Sequence, residues 1–120
     1  MELEGFEVRA PAPKAVGRDH LEVSHVEGLS TEPKAIAVRM HNGLTVRLPE
    51  RAGHIWAIEP TMAKRVGLRE ANYESGSPAT REFFFTPRTP GLFDVDFFLA
   101  KAFNPAHVSK TCRLMVDVKP

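Results

Sequence analysis

Between residues 36 and 48 the chain runs Ile36-Ala37-Val38-Arg39-Met40-His41-Asn42-Gly43-Leu44-Thr45-Val46-Arg47-Leu48. Apolar residues occupy every second position, at 36, 38 and 40 and again at 44, 46 and 48, while Arg39, Thr45 and Arg47 fall on the opposite parity. Successive side chains of a strand point to opposite faces, so each run reads as a strand with one buried and one wet face. Asn42-Gly43 lies between the runs, and both residue types tolerate the positive φ that a type I′ turn needs. The pattern predicts a β-hairpin.

The same alternation continues on both sides. Pro49-Glu-Arg-Ala-Gly53 interrupts it, and His54-Ile-Trp56-Ala-Ile58 resumes it before Pro60, with Trp56 as the largest core candidate. Residues 61–74 read two ways. Thr61 could cap a helix, but Val66, Leu68 and Tyr73 suit a strand equally, and the expectation is a short irregular piece followed by a strand. Ser75-Gly-Ser-Pro78 has turn composition, and Arg81-Glu-Phe83-Phe84-Phe85 has the aromatic content of a strand. After a tight reversal at Pro87–Gly91, Phe93, Val95, Phe97 and Leu99 share one face, opposite Asp94 and Asp96. Residues 100–109 read as a loop around Asn104-Pro105, followed by a strand from Thr111 to Val118 that buries Cys112, Leu114, Val116 and Val118. Phe6–Val8 and Leu21–Val23 are weaker strands.

Seven or eight short strands separated by turn signals predict an all-β, Ig-like antiparallel β-sandwich over residues 1–120 as one domain. At 120 residues the chain has material for one hydrophobic core. The Cys-Trp-Cys arrangement of antibody domains is missing, because Cys112 is the only cysteine. Trp56, Phe83, Phe85, Phe93 and Phe97 are expected to fill the space a disulfide would occupy.

Composition excludes several classes of function. Sixteen Lys and Arg nearly balance fifteen Asp and Glu, so no global basic field attracts nucleic acid or anionic lipid. No apolar stretch approaches the ~20 residues of a membrane span. The N-terminal residues lack the charged and apolar regions of a secretory leader, which suits a cytoplasmic protein, or a periplasmic or secreted one whose leader has been removed. Five histidines invite a metal reading, but blue copper needs a His close downstream of the Cys, and Cys112 has none. A mid-strand thiol among apolar neighbours is an inert small hydrophobe, and no serine stands in a nucleophile elbow. No catalytic residue, metal site or cofactor is therefore expected. By elimination, function falls to loops on a rigid scaffold.

Three loops stand out, 49–54, 75–80 and 100–109. If the strands before them run in one direction, the loops gather at one end like a small paratope. From Leu44 to Val118, about three-fifths of the chain, the sequence resembles the chagasin family of Ig-like inhibitors of papain-type cysteine proteases. Leu48-Pro49-Glu50, a loop ending in Gly53, and Trp56 resemble the family's Leu-Pro-x, Asn-Pro-Thr-Thr-Gly-aromatic, x-Trp segment. Gly76-Ser-Pro-Ala79-Thr-Arg-Glu-Phe83 resembles its Gly-x-Gly-Gly loop running into a Phe strand. Lys101-Ala102-Phe103 falls where the family has Arg-Pro-Trp.

The chain is a divergent version of that pattern. Its first loop is two residues shorter, with Arg51 and Ala52 in place of Asn-Pro-Thr-Thr and His54 in place of the aromatic. Pro78 and Ala79 replace glycines, and Lys101 replaces an arginine. The resemblance implies a non-enzymatic protein that wedges three loops into a protease cleft without covalent chemistry. The partner-binding residues would be Arg51, Ala52, Gly53 and His54; Gly76, Ser77, Pro78 and Ala79; and Lys101, Ala102 and Phe103. Gly53, Gly76 and Gly91 also suit plain turns. The competing reading is a non-inhibitory chagasin-like module that serves as an assembly or accessory subunit of a larger complex.

Overall fold

The computed structural model describes residues 22–120. Its strands are β1 (Val23–Glu27), β2 (Lys34–Arg39), β3 (Gly43–Glu50), β4 (His54–Ile58), β5 (Leu68–Glu74), β6 (Ala79–Phe85), β7 (Gly91–Lys101) and β8 (Asn104–Lys119), with one helix, α1 (Pro60–Val66). They form two four-stranded sheets, ordered β1-β3-β6-β5 and β2-β8-β7-β4. The predicted β-sandwich is what the chain forms. Phe6–Val8, Leu21 and His20 lie outside the described residues, and the strand expected at Leu21–Val23 runs from Val23 to Glu27.

The core follows the period-2 pattern. Leu44, Val46 and Leu48 of β3 face Val95, Phe97 and Leu99 of β7 and Cys112, Leu114, Val116 and Val118 of β8, all buried. Phe97 joins the sheets, with its ring 5.2 Å from that of Phe83 and 6.5 Å, edge-on, from that of Phe85. Such tilted and T-shaped contacts suit the ring quadrupoles. Trp56 and Phe93 are buried as well, so the five aromatics expected to fill the core all do.

The predicted hairpin over 36–48 does not form. β2 pairs with β8 and β3 pairs with β1 and β6, so the chain crosses from one sheet to the other between them. The turn is closed by the Asn42 N–H donating to Arg39 O at 3.1 Å, and its positive φ falls on His41 rather than on Asn42-Gly43. Gly43 begins β3, and a Cβ there would come within 2.9 Å of the Phe84 ring and 3.1 Å of Val23. Its lack of a side chain serves that close approach, not the turn.

Three further expectations are corrected. Residues 60–66 are helical, and the N-cap is Glu59 rather than Thr61: its carboxylate accepts the Met62 N–H at 2.8 Å. That bond, first, and a second from Thr61 hold the Glu59 carboxyl below the usual carboxylate range. The 100–109 loop is instead the end of β7 and the start of β8, a hairpin that turns at Ala102-Phe103 and whose pairing is broken here by register shifts, with Ala100 opposite Val108 and Lys101 opposite Asn104. Pairing is also not wholly antiparallel, because the edge strands β1 and β2 run parallel to β3 and β8.

Candidate binding site at one end of the sandwich

Strand directions bring three connections together. β3 pairs antiparallel with β6 (Glu50 opposite Ala79), β5 pairs antiparallel with β6 (Glu74 opposite Thr80), and β4 pairs antiparallel with β7 (His54 opposite Lys101). The ends of β3, β5 and β7 therefore point the same way, and segments 51–53, 75–78 and 102–103 share one end of the molecule. Two of them touch: the Ala102 N–H donates to Gly53 O at 3.0 Å.

The first loop is a tight turn. The His54 N–H donates to Arg51 O at 3.0 Å, and the third residue, Gly53, has φ +74°, the left-handed value a type II turn requires at that position. His54 is half-buried, with Nδ1 2.9 Å from Ala52 O, whereas Arg51, Ala52 and Gly53 are exposed. In the second connection Gly76, Ser77 and Pro78 are exposed and Ala79, the first residue of β6, is half-buried. Gly76 is not in the left-handed region, so positive φ is not the reason for this glycine; a Cβ there would come within 3.1 Å of Pro78 O.

The third connection is the two-residue tip Ala102-Phe103, closed by Lys101 opposite Asn104. Phe103 is 99% exposed, so the core makes no use of its ring. Arg51 and Lys101 form no ion pair among the described residues, in contrast to Arg47, Arg81, Arg113 and Lys119.

Beneath the first loop lies a buried polar network that the sequence reading did not identify. Arg81 donates from Nε to Glu50 Oε2 and from Nη2 to Oε1, each at 2.9 Å. The same Oε2 accepts the Trp56 backbone N–H at 2.9 Å, and the Trp56 indole N–H donates to Pro49 O at 2.9 Å. The Glu50 side chain is 4% exposed, and the Arg81 guanidinium lies 4.9 Å from the Tyr73 ring centroid. Both ends of the turn are thus clamped by one carboxylate, which fixes the loop without enlarging the core. Period-2 counting was the available signal: Glu50 extends the inward row Leu44-Val46-Leu48, and Arg81 extends the row Phe85-Phe83.

Among the described residues, no three His, Cys, Asp or Glu side chains come together to hold a metal ion. Cys112 is buried in mid-strand, and burial pushes its thiol up.

No protein-family model and no curated protein matches this sequence. Solved structures do. The cysteine protease inhibitor EhICP2 from Entamoeba histolytica superposes with a TM-score of 0.68 over 83% of this chain and 98% of its own, at 14% identity. Amebosin superposes with a TM-score of 0.57 over 80% and 99%, at 17% identity. PbICP-C, solved in complex with falcipain-2, superposes with a TM-score of 0.54 over 82% and 99%, at 12% identity. With so few residues shared, what this chain has in common with these proteins is the architecture: it folds as the Ig-like β-sandwich of EhICP2, amebosin and PbICP-C, the fold implied by its resemblance to the chagasin family.

Proposed function

We propose that the chain is a non-covalent protein inhibitor of papain-like cysteine proteases that acts through the three connections at one end of the sandwich. The observation that carries this reading is their convergence, with Phe103 almost fully exposed on a two-residue tip hydrogen-bonded to the first loop. A large aromatic held out on a rigid element suits a partner's pocket. The Glu50–Arg81–Trp56 network holds the first loop before any partner arrives, so docking orders little new structure.

In this mechanism the protein supplies shape rather than chemistry. Backbone loops and the Phe103 ring fill the protease cleft and exclude substrate from its catalytic Cys and His, and no bond is made or broken. The fold's likeness to EhICP2, named as a cysteine protease inhibitor, and to PbICP-C, solved with falcipain-2, supports the reading. The partner is a protein, with no cofactor, nucleic acid or membrane involved. Titrating the chain into a papain-like enzyme should give reversible inhibition, restored on dilution. No inhibition of any such enzyme at micromolar concentration would overturn the proposal.

A further inference from the structure

The inward row of β8 runs Val118, Val116, Leu114, Cys112, each buried, and the same alternation reaches Lys110. Lys110 is half-buried and lies opposite Leu99. A cation on an inward row also occurs on β6, where Arg81 follows Phe85 and Phe83, but Glu50 neutralises that one. Lys110 has no carboxylate partner among the described residues.

Lys110 lines a cleft of about 480 Å³ beside the first loop. Its apolar lining is Leu29, Pro49, Trp56 and Leu99; its charged lining is Arg51 and Lys110, and among the described residues no carboxylate lines it. Two cations without counter-charges among the described residues, beside an apolar wall, complement an anion carried on an apolar stem. Of the two, the half-buried Lys110 charge interacts more strongly than an exposed one would.

We propose that this cleft docks an acidic segment of a protein partner, whose carboxylates meet Arg51 and Lys110 while a neighbouring aliphatic side chain covers Trp56 and Leu99. The docking face then extends sideways from the three loops. The inference rests on this end being the docking face, but not on the partner being a protease.

The test uses the ¹⁵N-labelled chain and a blocked synthetic peptide of alternating Glu and Leu, with its Gln-Leu counterpart as control. The acidic peptide should shift the amides of Arg51 and Lys110 and the Trp56 indole N–H saturably, and the Gln peptide should not. Lys110→Gln should weaken the binding at least about fivefold, as should raising salt to about 0.5 M, with the thermal midpoint of the variant unchanged. Equal shifts from both peptides, shifts confined to another face, or no shifts would overturn the proposal. A chain that inhibits a papain-like protease yet ignores the acidic peptide refutes the cleft alone. A chain that takes the peptide in the cleft yet inhibits no such protease supports the cleft and refutes the inhibitor reading.

Discussion

The Glu50 carboxylate grips Arg81 with both oxygens, at 2.9 Å each, and one of those oxygens also takes the Trp56 backbone N–H. A single buried side chain therefore joins β3, β4 and β6 directly below the first loop. Truncating one partner of such a pair leaves the other charge buried and unanswered, whereas replacing both with apolar residues removes the desolvation cost together with the attraction. Arg81→Ala is expected to cost about 3 kcal/mol, and the double change Glu50→Leu with Arg81→Leu is expected to cost less. Urea unfolding midpoints with an unchanged m-value provide the check. A single truncation costing as little as the double would show that the pair is dispensable to its surroundings.

Trp56 fills the core from β4 and ties its indole N–H to Pro49 O. Trp56→Ala should lose about 3–5 kcal/mol, the range for deleting a large buried aromatic. Trp56→Phe should recover most of that loss and forfeit about 1 kcal/mol for the hydrogen bond. A loss under about 1 kcal/mol on truncation to Ala would contradict the register that places Trp56 opposite Leu99.

Phe103 contributes almost no buried surface to the folded chain. Phe103→Ala should leave the thermal midpoint where it is and weaken protease binding at least about tenfold, equivalent to roughly 1.4 kcal/mol. Calorimetric titration beside a melting curve separates the two effects. Lost stability with intact affinity would reverse the assignment.

Cys112 is fully buried, and burial raises its thiol pKa. A thiol reagent should label it only as fast as the chain unfolds, and immediately in denaturant. The sign of the linkage follows. The folded chain keeps the proton at a pH where the unfolded chain releases it, so this group's contribution to stability is intact below the unfolded thiol's pKa and is lost as pH rises through the folded value. Rapid labelling of the native chain would contradict this burial.

The core was legible because each buried row repeats every second residue. Phe93-Val95-Phe97-Leu99 and Cys112-Leu114-Val116-Val118 could be assigned to their faces without any knowledge of partners. Pairing was not legible in the same way. The Asn42-Gly43 signal describes backbone tolerance, but what decides whether adjacent strands pair or part is the contact each makes elsewhere. Here Gly43 makes room for Phe84, and β3 pairs with β6 rather than β2. Residues 104–109 read as a loop because an arm exposed along its length carries no hydrophobic alternation, and its pairing with β7 is irregular: Val108 lies opposite Ala100 and Asn104 opposite Lys101, with register shifts between them. The short helix ending at Val66 was ambiguous because seven residues span barely two turns. At the candidate site the loops could be placed, but their support could not, since nothing in the alternation singles out Glu50 and Arg81 until their row parity is counted.

If one end of this sandwich closes a protease cleft, as proposed, the complex will carry its footprint there. Hydrogen exchange of the chain with and without a papain-like protease bears on it residue by residue. Exchange should slow at residues 51–54, 75–79 and 101–103 in the complex, with the outer face around Arg47 and Glu82 unchanged. Protection of that outer face with the three connections left unprotected, or no complex with any such protease, would contradict it.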